Sequence, residues 1–182
     1  MNYGKINKCD IANGEGIRVS LFVSGCRNRC KGCFQPETWD FNYGTPFTDI
    51  SKEEIFIALD NPSVRGLTVL GGEPMEPENQ TEILLLLREF KQKYMDKTVW
   101  LYSGYLYEEL TKDGSRVNLP GITEELFSYV DVLIDGRFVE EKKQLGLRFR
   151  GSSNQRIIDM NLTRIKGVPV IWAGCDDDRS YK

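Results

Sequence analysis

The sequence predicts an α/β fold with a largely parallel sheet, built as an incomplete β/α barrel. Three observations predict it. Short apolar, β-branched runs alternate with segments of helical period. Glycine-, cysteine- or serine-containing turns follow the strand runs, where open sheets and barrels place their sites. The chain has 182 residues, whereas a complete eight-unit barrel needs about 250. The barrel is therefore expected to be open on one side.

Residues 1–16 are polar and end in the turn Asn13-Gly14-Glu15-Gly16. Alternation through Ile17, Val19, Leu21 and Val23 predicts a buried strand over 17–24. A loop with three cysteines starts at its C-terminal end. Residues 36–47 carry Trp39, Phe41, Tyr43 and Phe47, read as packing residues, with shielding of a metal site as the alternative. Ser51-Lys52-Glu53-Glu54 reads as a capping box that starts a helix running to about Leu59. A short second strand, 67–70, leads into Gly71-Gly72-Glu73-Pro74.

Residues 78–94 form the clearest helix, with Ile83, Leu87, Phe90 and Tyr94 on the face that packs on the sheet. Residues 98–102 form a third strand ending in Ser103-Gly104-Tyr105. A short helix near 105–111, a polar loop and a helix from Thr123 follow. The fourth strand, 130–137, ends in Asp135-Gly136. Residues 168–172 are expected to add a strand, and the tail with Asp176-Asp177-Asp178 to be a solvated terminus. No repeat or linker interrupts the chain. It reads as one domain over 1–182, with its core at about 14–156 and a C-terminal extension over 157–182.

Composition narrows the function. The hydrophobic fraction is 40% and the charged fraction 28%, ordinary for a soluble globular protein. A net charge of −3 leaves no electrostatic footprint for nucleic acid or an anionic membrane. The longest aliphatic run, 83–87, is far short of the about 20 residues of a spanning helix. Met1-Asn2-Tyr3-Gly4-Lys5 lacks the apolar stretch of a signal peptide. Five cysteines without an export signal point to the reducing cytoplasm and a metal site rather than to disulfides.

The chemistry centres on Cys26, Cys30 and Cys33, spaced C-x3-C-x2-C. Thiolates are soft ligands that suit zinc and iron–sulfur clusters. Three of them can hold three corners of a 4Fe-4S cluster and leave the fourth iron open to substrate. The same spacing is also one face of a helix. The intervening Arg27, Asn28, Arg29, Lys31 and Gly32 oppose that, since glycine costs a helix interior about 1 kcal/mol relative to alanine. A structural zinc site needs four ligands. With no histidine in the chain, Cys9 or Cys175 would have to complete it. The flanking cations are expected to lower the thiol pKa values. In the Gly71-Gly72-Glu73-Pro74 turn, glycines permit close backbone approach to a ligand, and Glu73 offers a negative acceptor suited to an ammonium group. Ser103 is read as a contact to ribose or adenine, or as a plain turn residue. Asp135 is read as a partner for a ribose hydroxyl or an arginine, or as a structural turn aspartate.

The cysteine triplet followed by Gly71-Gly72-Glu73-Pro74 resembles the radical S-adenosylmethionine superfamily. The match is closer to one of its families, the activating proteins of anaerobic (class III) ribonucleotide reductase. It runs in order through Asn2-Tyr3, Asp10-Ile11, Asn13-Gly14, residues 21–26, Gly32-Cys33, Thr38-Trp39, residues 132–136 and Arg150-Gly151-Ser152-Ser153-Asn154-Gln155. It covers about residues 2–156. The 150–155 stretch points to this family within the superfamily. Glu15 stands where the family often has proline, and Phe34 replaces the usual tyrosine after the third cysteine. Gly32 stands where the wider superfamily often has an aromatic residue, as it does in this family.

The resemblance implies one 4Fe-4S cluster on Cys26, Cys30 and Cys33 and S-adenosylmethionine as cofactor. Gly32, Cys33 and Phe34 would line the cofactor, and Gly71, Gly72 and Glu73 would hold its methionine end. Its reaction would be reductive cleavage to a 5′-deoxyadenosyl radical, with a flavodoxin or ferredoxin as electron donor. The protein substrate would be the anaerobic ribonucleoside-triphosphate reductase, on which a glycyl radical is generated. Three alternatives stand beside it: action on another glycyl-radical protein, action on a small molecule, and a non-catalytic zinc-binding interaction module.

Overall fold

The structure is a computed structural model that describes residues 1–175. The acidic run at 176–178 and the side chain of Cys175 lie outside the description. Seven strands form one sheet: β1 (Asn2–Asp10), β2 (Ile17–Val23), β3 (Thr45–Pro46), β4 (Val64–Gly71), β5 (Thr98–Tyr102), β6 (Val132–Asp135) and β7 (Arg156–Asp159). Five α-helices connect or follow them: α1 (Asp49–Leu59), α2 (Pro77–Lys93), α3 (Tyr107–Thr111), α4 (Ile122–Tyr129) and α5 (Met160–Lys166). The spatial order is β3-β1-β2-β4-β5-β6-β7.

The four central strands, β2, β4, β5 and β6, are parallel neighbours. The three outer ones are not: β1 runs antiparallel to both β2 and β3, and β7 antiparallel to β6. The sheet is therefore mixed, with the expected parallel character confined to its centre. Both β1 and β7 escape a pattern search for physical reasons. β1 leaves many of its side chains half-buried or exposed, so its sequence is polar and non-alternating. β7 has only four residues and runs directly into α5. Residues 168–172 form no full strand. They pair with β7 through a single bridge, Ile158 with Ile171.

Helices cover one sheet face. Val19, Leu21, Val23, Leu67, Val69, Val99, Leu101 and Leu133 pack there against Ile55 and Leu59 of α1, Ile83, Leu87 and Phe90 of α2, and Leu126 of α4. Burying each such side chain contributes about 1.5–3 kcal/mol. Helix α1 begins earlier than the sequence suggests. Its N-cap is Thr48, whose amide donates to Ser51 Oγ at 3.4 Å, so Ser51 closes the first turn instead of opening it.

The opposite face holds the alternate residues, and its floor is polar. Arg18 is 1% exposed. Its Nε donates to Thr68 Oγ1 at 2.7 Å and its Nη2 to Leu67 O and Thr98 O, both at 2.8 Å. Its guanidinium also stacks 5.3 Å from the Trp100 ring centroid. Burial lowers its pKa to about 10, so it stays cationic at neutral pH. One side chain thus ties β2, β4 and β5 together at the end of the sheet away from the cysteines. Trp100, Val132, Ile134 and Ile157 form a second apolar cluster on this face, with Phe149 and Trp172 against it. No described helix is long and apolar enough to cross a membrane.

Candidate functional site

The C-terminal ends of the four parallel strands converge on one cavity of about 580 Å3. From β2 comes the cysteine loop, from β4 the Gly71-Gly72-Glu73 turn, from β5 Ser103 and Gly104, and from β6 Gly136. Cys26, Cys30 and Cys33 all line it. So do Phe34, Gly71, Gly72, Glu73 and Ser103.

Main-chain bonds fasten the loop. Gly25 N–H donates to Thr38 O at 2.8 Å, and Cys26 N–H to Trp39 O at 3.2 Å. From the neighbouring turn, Gly72 N–H reaches Val23 O at 2.7 Å and Glu73 N–H reaches Gly25 O at 2.8 Å. Strand β4 must approach very closely for this. A Cβ on Gly72 would lie 2.8 Å from Gly25 O and 2.9 Å from Thr38 O. Gly71 has φ +109°, a conformation side chains disfavour. The glycine pair thus seats the cysteine loop as well as lining the cavity.

Glu73 is 1% exposed, and its carboxylate is fully engaged. Oε1 accepts from Met75 N–H at 2.9 Å and Ser103 Oγ at 2.8 Å. Oε2 accepts from Gly104 N–H at 2.7 Å and Asn28 Nδ2 at 3.0 Å. Burial pushes its carboxyl up to about 7, against the pull of these donors. Glu73, read from the sequence as a negative acceptor suited to an ammonium group, has its oxygens taken by protein donors and clamps β4, β5 and the cysteine loop together. Asn28, which sequence reasoning missed, completes it by also accepting from Arg137 Nε at 3.1 Å.

Two expected cofactor residues stand elsewhere. Asp135 is fully buried and does not line the cavity. It pairs with Arg156, whose Nε donates to Oδ1 at 2.9 Å, and accepts from Tyr107 N–H at 2.7 Å. Of its readings, the arginine partner is the one realised. Gly32 is exposed and lies against Glu140, which a Cβ would meet at 2.8 Å. The 150–155 stretch has a definite local role. Gln155 Oε1 accepts from Gly151 N–H at 2.8 Å and Ser152 N–H at 3.1 Å, while Nε2 donates to Gly136 O at 2.9 Å. This staples the β6–β7 loop to the end of β6 and brings Arg150, Gly151 and Gln155 to the cavity wall. The apolar wall of Phe22, Tyr102, Phe138, Leu147 and Phe149 was also missed. Only its tertiary placement gathers it.

The flanking cations do not depress the Cys26 and Cys30 thiols. Burial raises Cys26 to about 11, Glu73 adds to the rise, and the backbone amides of Asn28 and Arg29 oppose it. Burial raises Cys30 too. The charge of Arg27 is spent on Glu76 and Glu78, and that of Lys31 on Glu140 and Glu141.

Three thiols around one concavity, two of them half-buried, could hold a cluster whose corners each take one thiolate. A single metal ion fits less well. Among the described residues, no three Cys, Asp or Glu side chains surround a common ion position. Cys9 cannot complete a zinc site. Tyr3 pairs with Val23, beside the cysteine loop, and Cys9 is six residues further along β1, roughly 20 Å at strand rise.

A fold and a site of this kind define an iron–sulfur protein, and comparison with known proteins agrees. The family described as a 4Fe-4S single cluster domain matches residues 12–158. A protein of Haemophilus influenzae named anaerobic ribonucleoside-triphosphate reductase-activating protein is 40% identical over 159 residues, 86% of this chain and 97% of its own. Proteins of the same name from Pasteurella multocida and Escherichia coli are 38% and 36% identical, covering 86% and 85% of this chain and 96% of each of theirs. The chain belongs to the family of anaerobic ribonucleoside-triphosphate reductase-activating proteins.

Proposed function

We propose that this chain is the activating enzyme of an anaerobic ribonucleoside-triphosphate reductase, with Cys26, Cys30 and Cys33 as ligands of one 4Fe-4S cluster. The carrying observation is that the three cysteines and the Gly71-Gly72 turn face one cavity at the ends of parallel strands. The chemistry supplied there is reductive cleavage of S-adenosylmethionine to methionine and a 5′-deoxyadenosyl radical, which takes a hydrogen from a glycine of the reductase.

The residues of this chain bind, orient and shield. Four protein donors occupy the Glu73 carboxylate, so the backbone of the turn would be the part that receives the cofactor's ammonium. Gly71 and Gly72 supply that approach, and Ser103 acts through Glu73. Phe34 packs on Phe138 with ring centroids 5.0 Å apart, and Lys143 lies 4.9 Å from the Phe34 ring centroid. Together they roof the loop on the side of Cys33. No general base is needed, so the lack of histidine is no obstacle. Helices on one sheet face and the cavity on the other support an incomplete barrel, whose open side admits a reductase loop. The electron donor is a flavodoxin or ferredoxin, and the setting is the cytoplasm.

The test is anaerobic cluster reconstitution, reduction with dithionite and addition of S-adenosylmethionine and reductase. Expected are 5′-deoxyadenosine and an organic radical on the reductase, seen as a doublet that collapses when glycine is deuterated at Cα. Cleavage without a radical on the reductase removes the substrate assignment and leaves the cofactor chemistry.

A further inference from the structure

We infer that Glu76 is a positioning residue for the cluster-ligand loop: its buried carboxylate fixes the main chain just after Cys26, and through it the loop amides that follow. The inference rests on the reading of Cys26 as a ligand.

Glu76 is the N-cap of α2, two residues beyond the Gly71-Gly72-Glu73-Pro74 turn. Its side chain is wholly buried, yet it caps no amide of its own helix. It reaches across to the loop instead. Oε1 accepts from Arg27 N–H at 3.0 Å and from Tyr105 Oη at 3.0 Å. Oε2 accepts from Arg27 Nη1 and Arg116 Nη1, both at 2.7 Å. Arg27 N–H is the first amide after Cys26. Arg27 is further held by Glu78 at 2.5 Å and lies 4.4 Å from the ring centroid of Phe41. That ring in turn packs on Gly25, where a Cβ would meet it at 2.3 Å. One carboxylate therefore anchors a short turn at its second residue.

The next two amides, of Asn28 and Arg29, follow the anchored residue in the loop that leads from Cys26 to Cys30. Arg29 has φ 46°, unusual for a non-glycine residue, so the turn needs outside support to keep its shape. Hydrogen bonds to ligand sulfurs stabilise the reduced, more anionic state and raise a cluster's potential. A carboxylate that holds the turn thus acts on the metal without touching it.

The test compares Glu76→Gln and Glu76→Ala in anaerobically reconstituted protein, by iron analysis and by redox titration followed with electron paramagnetic resonance. Both variants lose the negative charge, so its direct effect on the potential cancels between them. Only glutamine keeps an oxygen for the Arg27 amide. The expected result is a lower potential for the alanine variant. The difference should be at least a tenfold shift in the oxidised-to-reduced ratio, 59 mV for a one-electron couple. If the alanine variant does not fold, as judged by circular dichroism, Glu76→Asp decides against wild type. It keeps the charge but is one methylene short of the amide, and the same shift is expected. Equal potentials in the deciding pair, in a protein whose cluster needs Cys26, overturn this inference alone. A Cys26→Ala variant with a full cluster overturns the ligand reading and this inference together.

Discussion

The Ser103 hydroxyl donates to Glu73 Oε1 at 2.8 Å, so two residues from neighbouring strand ends complete one another. The same oxygen of Ser103 accepts from Tyr105 N–H at 3.0 Å. Ser103→Ala should leave a buried carboxylate one donor short, at a cost of about 1–3 kcal/mol. Urea unfolding of the variant checks this. Unchanged stability with weakened S-adenosylmethionine binding would instead assign Ser103 to the cofactor.

Replacing Cys26, Cys30 or Cys33 by alanine should abolish the stable cluster, measured as iron and sulfide per chain. Cys9→Ala should not, because Cys9 is at the far end of β1. Full iron content in any of the three single variants would remove that residue from the ligand set.

Gly72→Ala should cost iron loading and cofactor response together. Its methyl group would press on Gly25 O and Thr38 O, which anchor the loop ahead of Cys26. A brown, fully loaded variant with weak S-adenosylmethionine binding would show that the close approach serves the cofactor alone.

Arg156→Ala should destabilise the fold by about 3–5 kcal/mol, because it strips a buried carboxylate of its counter-ion. Asp135 is 0% exposed, and its remaining donor is the amide of Tyr107. Thermal melting beside Asp135→Asn is the measurement. A melting temperature like that of wild type would place the ion pair among the expendable ones.

Acid should weaken the fold through Glu76. Burial alone would raise its carboxyl, but Arg116, Arg27 and Tyr105 outweigh burial and hold it below the ordinary range. A folded value below the unfolded one, about 4.3, means stability that is present above that pH. It is lost as pH falls through the folded value. Urea midpoints measured from pH 6 downward should therefore drop more steeply below about pH 4.3 in wild type than in Glu76→Gln. Parallel curves would contradict it.

The central parallel strands and the cysteine loop were legible because their signals are local. Strand β5 was placed at its observed residues, Thr98–Tyr102, and the cysteine triplet announces soft-ligand chemistry by spacing. What was not legible depends on partners distant in sequence. Glu73 reads as a free acceptor until Ser103, Gly104 and Asn28 are brought to it. Glu76 carries no signal of its own in the sequence; its place is set only when Arg27 and Arg116 converge on it. The cations beside the cysteines suggest acidic thiols. Burial decides otherwise once ion pairs have absorbed Arg27 and Lys31. β1 was hidden because a strand with much of its surface exposed need not alternate.

All four parallel strands deliver their chemistry at one end of the sheet, which divides the molecule for engineering. An inserted tag, spectroscopic label or fusion partner at the C-terminal ends would displace a turn that touches the cavity. The bend at 61–63, ahead of β4, is a full strand away, roughly 25 Å for eight residues. Cargo placed there should leave the reactive end free to meet its protein substrate.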